Sequence, residues 1–485
     1  MALIAFGAVL LGHALQIRDG FYDVIALRWT VLATAFVVAG ATRLGGRGGS
    51  ERLVAGVLVA GLLSNLLALA TMPIGMYLVR PEPSRHPDFL AGLALATALT
   101  LLIAFDSRRA RRAWFPALLL TYAALGLWLI DASPRPRIDV MTVFREALAA
   151  LGRLESPYSI TFPNIYDDEA LYGAGLVVNG RVQFGFPYPP LSLMMGAPAL
   201  ALGGDVRFME LAALLAGAAA IGHCARGRIA PLAAAGLLFT PRTFFVLEQA
   251  WTESLVICWA GLVVLAGSRA SSVPSVASRR PILRPVALGL LVAVKQHLVI
   301  ALLLARWLRR DDERGRTTMW IALGACAVAT VATLPFFLWD PAGMWRSVVM
   351  LQLHEPFRID SLSLLSHFAR QGWQPTPEAS LWAPAGALAG GLLLTWWRLP
   401  RTPAGFATGL GMTFLLLFLC SKKAFCNYYF LVIALLMAGV AAASGEFPAA
   451  DPQIDSKHGP ETGSGQPRVS RDPTAPDCAS CGCRR

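Results

Sequence analysis

The chain has 485 residues, a formal net charge of +12, and a composition that is 55% hydrophobic and only 15% charged. A soluble globular domain is nearer about 25% charged, so this composition excludes an ordinary soluble enzyme. The arginines cluster in short loops between apolar runs, which is typical of membrane-orientation signals, and we expect no nucleic-acid partner.

Apolar runs of about 16–20 residues recur from end to end, which is the length that crosses the hydrocarbon core of a bilayer. They predict an all-α polytopic membrane protein with about 11–13 transmembrane helices. Residues 1–112 are predicted to form N-terminal spans and residues 113–444 a membrane core. Residues 445–485, rich in Pro, Ser, Asp and Gly, are predicted to be a disordered tail, and its Cys478, Cys481 and Cys483 give only a weak metal-binding signal.

The basic loops set the orientation. The positive-inside rule places every one of them in the cytoplasm only if the proline-rich run 187–202 does not cross the membrane. We therefore expect that run to form short helices at the outer surface, and the run 230–247 to cross as one helix. The run 286–305 is too short for two spans, which predicts a short hairpin with Lys295 and His297 near its tip. On this assignment both termini are cytoplasmic, and two long loops, 131–207 and 339–379, face outwards.

Polar and ionisable groups concentrate on the outer face. Asp139 lies shortly after the predicted span 114–130, where it is a candidate general base or a cap for the helix after it. Lys422 and Lys423 lie in a short outer turn, against the positive-inside rule. An anionic ligand, or contact with lipid headgroups, would explain these two lysines.

Four segments, in this order, carry a family resemblance: "IDVMTVFREALAALGRLESPY", "FGFPYPPLSLMMGAPALALGGDVR", "VKQHLVIALLLARWLRR" and "SKKAFCNYY". The chain resembles the C-type integral-membrane glycosyltransferases, in their bacterial polyprenol-phosphate-sugar-dependent mannosyltransferase-like branch. The resemblance covers roughly residues 114–443 and leaves the four N-terminal spans unmatched. It implies an inverting transfer of a mannose-like hexose at the outer face of the bacterial inner (plasma) membrane. The donor would be a polyprenyl-phosphate sugar, and the acceptor a lipid, a glycan or a protein.

The resemblance also implies roles for individual residues. Asp139 would be the general base, and because the leaving group is a phosphate, positive charge would replace a general acid. The candidates for binding the donor phosphate are His354, Arg358, Lys422, Lys423 and Lys295. The candidates for binding the acceptor or the sugar are Glu253, Gln249, Tyr188 and Tyr158.

Several of these residues also have structural interpretations. His354 is equally a surface histidine, and Arg358 is equally a partner of Glu355. Lys295 is costly in an apolar run unless it is paired or its amine reaches water, and Glu253 is equally a helix cap. No cofactor is firmly implied, no metal ligand is assigned, and a divalent metal ion stays open. The competing function is a transporter or flippase of a lipid-linked anion or glycolipid, although we find no internal repeat of the kind such proteins show.

Overall fold

The computed structural model describes residues 1–44, 50–166, 168–173, 175–268, 274–309, 313 and 315–446. The predicted tail from residue 447 onwards, with its three cysteines, lies outside the described residues.

The described part of the chain contains nineteen α-helices. They are Ala2–Ile17, Val24–Ala41, Glu51–Thr71, Pro87–Phe105, Phe115–Ala132, Asp139–Gly152, Pro190–Gly196, Arg207–His223, Ile229–Leu238, Thr243–Glu248, Glu253–Gly267, Pro274–Val294, Arg316–Trp339, Pro341–Met344, Leu351–His354, Leu364–Arg370, Pro377–Arg398, Pro403–Leu419 and Cys426–Ala443.

Shorter elements connect these helices. The 3₁₀ segments are Pro83–Arg85, Glu169–Leu171, Ala197–Leu202, Gln296–Leu308 and Ser444–Glu446, and the π segments are Ala110–Trp114 and Trp345–Met350. A small antiparallel sheet has Arg181–Val182 as its central strand, flanked by Phe162–Pro163 and Val177–Val178.

Among the described residues, seven helices are long and apolar enough to cross a membrane: Val24–Ala41, Glu51–Thr71, Pro87–Phe105, Ala110–Ala132, Arg316–Trp339, Pro377–Arg398 and Cys426–Ala443. The prediction of a helical, polytopic membrane protein therefore agrees with the fold, whereas the number of spans does not reach the predicted 11–13. The difference arises because several predicted spans, such as Ala2–Ile17 and Glu253–Gly267, are helices of only 10–17 residues.

Local sequence explains where many helices begin. Pro377 and Pro403 occupy the first turn of their helices, where proline lacks only an N–H that would be unpaired anyway and its φ already suits a helix. Thr376 and Thr402 precede these prolines, and their hydroxyls accept hydrogen bonds from backbone N–H groups of the first turn. The same Pro-first pattern begins Pro87–Phe105 and Pro190–Gly196.

The core surrounds the last long helix. Cys426–Ala443 is 89% buried along its most apolar stretch, whereas Arg316–Trp339 and Pro377–Arg398 are each only 11% buried. Arg316–Trp339 and Pro377–Arg398 therefore lie at the periphery, where their exposed apolar side chains suit contact with lipid. Glycine permits close packing inside the bundle: a Cβ on Gly261 would lie 2.6 Å from the carbonyl oxygen of Gly217 on the neighbouring helix.

The run 230–247 does not form one span, so that prediction is wrong. It divides into Ile229–Leu238 and Thr243–Glu248. The break contains Pro241, which has no backbone N–H and disfavours the helical conformation of the residue before it, Thr240. The backbone groups at this break lie inside the protein, where Thr240 N–H donates to the carbonyl of Leu237.

Two predicted interruptions are confirmed. The run 187–202 forms only the short helix Pro190–Gly196 and the 3₁₀ segment Ala197–Leu202. The chain also turns at Lys295, which is extended between Pro274–Val294 and Gln296–Leu308, and these two elements pack against each other. The hydroxyl of Ser192 donates to the carbonyl oxygen of Val294 at 2.6 Å and joins the two interruptions.

The segment 133–206 is closed at its base by a fully buried arginine. Arg207 pairs with Asp205 at 2.6 Å and donates to the carbonyl oxygen of Ser133 at 2.7 Å. The start and the end of the segment are thereby fastened together. Its interior carries the helix Asp139–Gly152 and the small sheet, which together form one side of a cavity.

Candidate functional site

A cavity of about 380 Å³ opens where the loops at one end of the helical bundle meet. Loops from distant parts of the chain contribute to it, including those around residues 19, 77, 139, 188, 249, 295, 358 and 423. Its lining combines many aromatic rings with a few charged groups. Among the residues that the sequence singled out, it brings together Asp139, Tyr188, Gln249, Lys295, Arg358 and Lys423.

Asp139 is the first residue of its helix, and Ile138 occupies the capping position before it. The carboxylate instead faces two tyrosines of the same segment: Tyr166 donates to Oδ1 at 3.3 Å and Tyr172 to Oδ2 at 3.4 Å. Tyr166 also accepts from the backbone N–H of Asp139 at 3.1 Å. The position of the side chain is therefore fixed by aromatic hydroxyl groups in the cavity wall.

The environment of Asp139 shifts its acidity in a definite direction. Burial raises the pKa of its carboxyl group above the ordinary value, while the ammonium of Lys423 and the hydroxyl of Tyr166 act in the opposite sense. Burial and the nearby Asp139 charge also raise the pKa of both Tyr166 and Tyr172. The two hydroxyls therefore stay protonated at neutral pH and act as donors to the carboxylate.

Two cations lie in loops between the C-terminal helices, and we call Arg358 and Lys423 the cationic wall. Lys423 pairs with Glu355 at 2.8 Å, and Arg358 forms a two-pronged pair with Asp360, at 2.9 and 2.7 Å. Burial disfavours the charged form of Lys423, but the attraction of Glu355, with Asp139 and Tyr428, outweighs it and raises its pKa. Lys423 therefore keeps its charge at neutral pH, and it lines one cavity with Arg358 and Asp139.

Lys295 occupies the tip of the hairpin and lines the same cavity. Its ammonium pairs with Glu253 at 2.5 Å and lies 5.7 Å from the centre of the Tyr188 ring. Asn427 donates to the same carboxylate oxygen of Glu253 at 3.0 Å. Glu253 is thus behind the cavity surface, where it neutralises and positions Lys295.

Three other predicted residues lie away from the cavity lining, namely His354, Lys422 and Tyr158. His354 is exposed and does not line the cavity that contains Arg358 and Lys423, and its Nδ1 lies 2.9 Å from the carbonyl oxygen of Met350. Lys422 donates to the carbonyl oxygens of Leu353 and Glu355, and burial lowers its pKa. These bonds fasten one loop to another.

Tyr158 is buried, and its hydroxyl donates to the carbonyl oxygen of Tyr188 at 3.0 Å. It therefore supports a cavity residue without facing the cavity. The suggested pairing of Arg358 with Glu355 is also absent among the described contacts, since Asp360 takes the arginine and Glu355 takes Lys423.

Several residues that the fold brings into the cavity had no role in the sequence-based prediction. Tyr166 and Tyr172 donate to the carboxylate of Asp139, yet they lie in an irregular segment with no periodicity to show which way they point. Asp19 and Tyr77 lie in loops between the N-terminal helices, which the resemblance does not cover. The sequence signals only two of these residues, Tyr166 and Tyr172, through the two tyrosines in the segment "NIYDDEALY".

Among the described side chains, no group of three or more His, Cys, Asp and Glu residues has the arrangement of a metal site. The described cavity offers the carboxylates of Asp19, Asp139 and Glu355, the cations Lys295, Arg358 and Lys423, and many aromatic faces. In comparisons with protein families, curated proteins and solved structures, no family model, curated sequence or experimental structure matches this chain.

Proposed function

We propose that this protein is a membrane glycosyltransferase that moves a mannose-like hexose from a polyprenyl-phosphate donor to an acceptor hydroxyl. The observation that carries the proposal is the cavity in which Asp139 faces the cationic wall, Arg358 and Lys423. These groups come from sequence positions more than two hundred residues apart, and they match the two requirements of the reaction. One requirement is a base for the acceptor, and the other is positive charge for the leaving phosphate.

The reaction needs only one carboxylate. The acceptor oxygen forms a bond to the anomeric carbon while the bond from that carbon to the phosphate oxygen breaks, which inverts the configuration. The acceptor proton passes to Asp139, and the bonding electrons leave with the polyprenyl phosphate. Because this phosphate is already a stable anion, Lys423 and Arg358 stabilise its growing charge without donating a proton.

The position of Asp139 suits the role of base. Each carboxylate oxygen accepts one long hydrogen bond from a tyrosine, at 3.3 and 3.4 Å, and retains acceptor capacity for a substrate hydroxyl. The raised pKa makes the carboxylate a stronger base than an ordinary aspartate. Tyr188, beside Lys295, adds an aromatic face against which a hexose ring can pack.

The location of the cavity favours a lipid-borne donor. Asp139 follows the outer end of the membrane-crossing segment Ala110–Ala132, whose other end begins in the arginine-rich loop 108–112. The positive-inside rule assigns that loop to the cytoplasm, so the cavity would open on the extracytoplasmic side. A phosphate anchored by a polyprenyl chain would reach the cavity at this membrane surface.

The proposal is tested with purified protein in lipid nanodiscs, supplied with labelled polyprenyl-phosphate mannose, glucose or arabinose and a lipid extract. We expect labelled product and released polyprenyl phosphate with one of these donors. Parallel vesicles carrying the protein report whether the intact lipid-linked sugar crosses the bilayer. Crossing of the intact donor with no cleavage would overturn the proposal in favour of a flippase. The absence of product from every donor would also overturn the proposal.

A further inference from the structure

The side of the cavity built by the N-terminal helices and by residues 245–251 differs in chemistry from the cationic wall. We call Asp19, Tyr77, Gln249 and Trp251 the neutral wall, and all four line the cavity. We infer that the neutral wall is a subsite for a neutral saccharide, which would be the acceptor of the transfer. The assignment of this subsite to the acceptor rests on the proposed function. The inference that the subsite binds a saccharide is independent of it.

Buried contacts hold the neutral wall in place. The carboxylate of Glu248 accepts from the backbone N–H groups of Met76 and Tyr77 at 2.6 and 2.9 Å, and from the hydroxyl of Ser133 at 2.9 Å. At Gly75 a Cβ would lie 2.6 Å from this carboxylate, so only glycine permits the close approach. Glu248 thereby fastens the loop between the third and fourth helices to the base of the segment 133–206.

The one ionised member of the neutral wall is compensated. Asp19 pairs with the guanidinium of Arg242, which also donates to the carbonyl oxygen of Pro73 and lies 5.0 Å from the centre of the Phe245 ring. The remaining members present a phenol, a primary amide and an indole. This set offers hydrogen-bond donors and acceptors without a net positive charge, so it suits sugar hydroxyls better than a phosphate.

Backbone conformation points to function at the same place. Asp19 and Ala250 have φ values of 55° and 51°, in the left-handed region that non-glycine residues rarely adopt. Ala250 is fully buried and lies between Gln249 and Trp251, so the unusual conformation presents both neighbours to the cavity. Such backbone outliers cluster at ligand-binding sites because the surrounding structure must maintain them.

The neutral wall also lies close to the proposed base. The hydroxyl of Tyr77 donates at 2.6 Å to the carbonyl oxygen of Arg137, two residues before Asp139. Trp251 packs edge-on against Phe245 at 5.3 Å between ring centres, which leaves an aromatic surface at the cavity. A saccharide stacked on the indole of Trp251 would present a hydroxyl to the carboxylate of Asp139. It would approach from the neutral wall and not from the cationic wall.

The test compares two probes on the full chain in nanodiscs. Saturation-transfer NMR measures binding of neutral methyl glycosides (methyl α-mannoside, methyl α-glucoside and methyl arabinofuranoside), and titration calorimetry measures binding of farnesyl phosphate. We expect Trp251→Leu to weaken binding of the preferred glycoside about threefold to tenfold, the loss expected for one aromatic contact, and to leave farnesyl phosphate binding unchanged. Lys423→Met should weaken farnesyl phosphate binding about tenfold to a hundredfold and leave glycoside binding unchanged.

Gln249→Ala provides a second variant in case Trp251→Leu does not fold, and Trp382→Leu is the matched control at an exposed tryptophan on a peripheral helix. The inference is overturned if wild-type protein binds none of the three glycosides, or if folded Trp251→Leu and Gln249→Ala bind them as the wild type does. Glycoside binding that depends on Trp251 in a protein with no transferase activity would keep this subsite and reject the proposed function instead.

Discussion

The cationic wall and the neutral wall line one cavity but are built by different parts of the chain. Arg358 and Lys423 lie in loops between the C-terminal helices, whereas the neutral wall combines Gln249 and Trp251 with Asp19 and Tyr77, which lie in loops between the N-terminal helices. Both walls contain ion pairs with carboxylates. In the cationic wall Arg358, Lys423 and the carboxylate of Glu355 line the cavity, whereas in the neutral wall only the carboxylate of Asp19 lines it and its partner Arg242 is buried behind.

Under the proposed function, this contrast would give one cavity two specificities without free buried charges. Unpaired charges are costly inside a protein, so each cation carries its own acid partner before any ligand arrives. In the proposal, Arg358 and Lys423 attract the phosphate, and the compensation of Asp19 by Arg242 leaves the neutral wall to hydrogen bonds with an uncharged ligand. The following predictions separate the two walls and the base between them, from the largest expected effect to the smallest.

Asp139→Asn is expected to reduce sugar transfer about 10²–10⁴-fold, because the amide keeps the shape of the carboxylate but cannot take the acceptor proton. Farnesyl phosphate binding and the melting temperature should stay near those of the wild type. Asp23→Asn, at a helix cap that asparagine also serves, is the matched control and should keep full activity. Near-normal transfer by Asp139→Asn would show that the base is another residue.

Glu253→Gln is expected to destabilise the fold by about 3–5 kcal/mol, because it leaves the ammonium of Lys295 buried without its acid partner. The double variant Glu253→Gln with Lys295→Met removes both charges and should recover most of the melting temperature. Thermal unfolding in detergent measures the three proteins side by side. If the double variant is no more stable than Glu253→Gln, the ion pair is not what the carboxylate contributes.

Lys423→Met is expected to weaken farnesyl phosphate binding about tenfold to a hundredfold, since a charge-assisted hydrogen bond contributes about 1.5–3 kcal/mol. Its neighbour provides the control, because the amine of Lys422 donates to two backbone carbonyls away from the cavity lining. Lys422→Met and His354→Ala should change this affinity less than about threefold, as expected of groups without a direct phosphate contact. Equal losses in Lys422→Met and Lys423→Met would remove the distinction between the lysines.

The smallest expected effect is a shift in the pH dependence of sugar transfer when Lys423 is replaced. A base acts in its deprotonated form, so activity should fall as the pH drops through the pKa of Asp139, which burial raises above that of an ordinary aspartate. Lys423 lowers this pKa, so Lys423→Met should move the acidic limb of the pH–rate profile of kcat/KM to higher pH. Lys422→Met should leave the limb in place. A limb that moves to lower pH would contradict the electrostatic link between Lys423 and Asp139.

Parts of the site were predictable because their signals are local. Asp139 lies a few residues after the end of an apolar run, and Lys295 interrupts another run that is too short for two spans. Both features depend on hydrophobic length and on the cost of charge in an apolar segment, which can be assessed along the chain alone. The break at Thr240–Pro241 carried an equally local signal, but the apolar residues on both sides made 230–247 resemble a single span.

Other parts had no local signal. Tyr166 and Tyr172 reach Asp139 only because the small sheet folds their segment back over the start of the helix. Glu248 serves the neutral wall from more than 170 positions away from Met76 and Tyr77. The short antiparallel strands and long-range side-chain contacts that make these arrangements leave no periodicity in the sequence from which to infer them.

The sequence by itself determined that the chain is a helical membrane protein, and it indicated Asp139 and the hairpin at Lys295, because apolar length and the cost of buried charge act within one segment. Only the tertiary structure decided which neighbouring residues share a cavity. Lys422 and Lys423 are adjacent in sequence, yet one amine fastens two loops together and the other lines the cavity. That choice depends on how the loops 355–360 and 421–425 pack against each other, which involves contacts between distant segments rather than a property of either lysine.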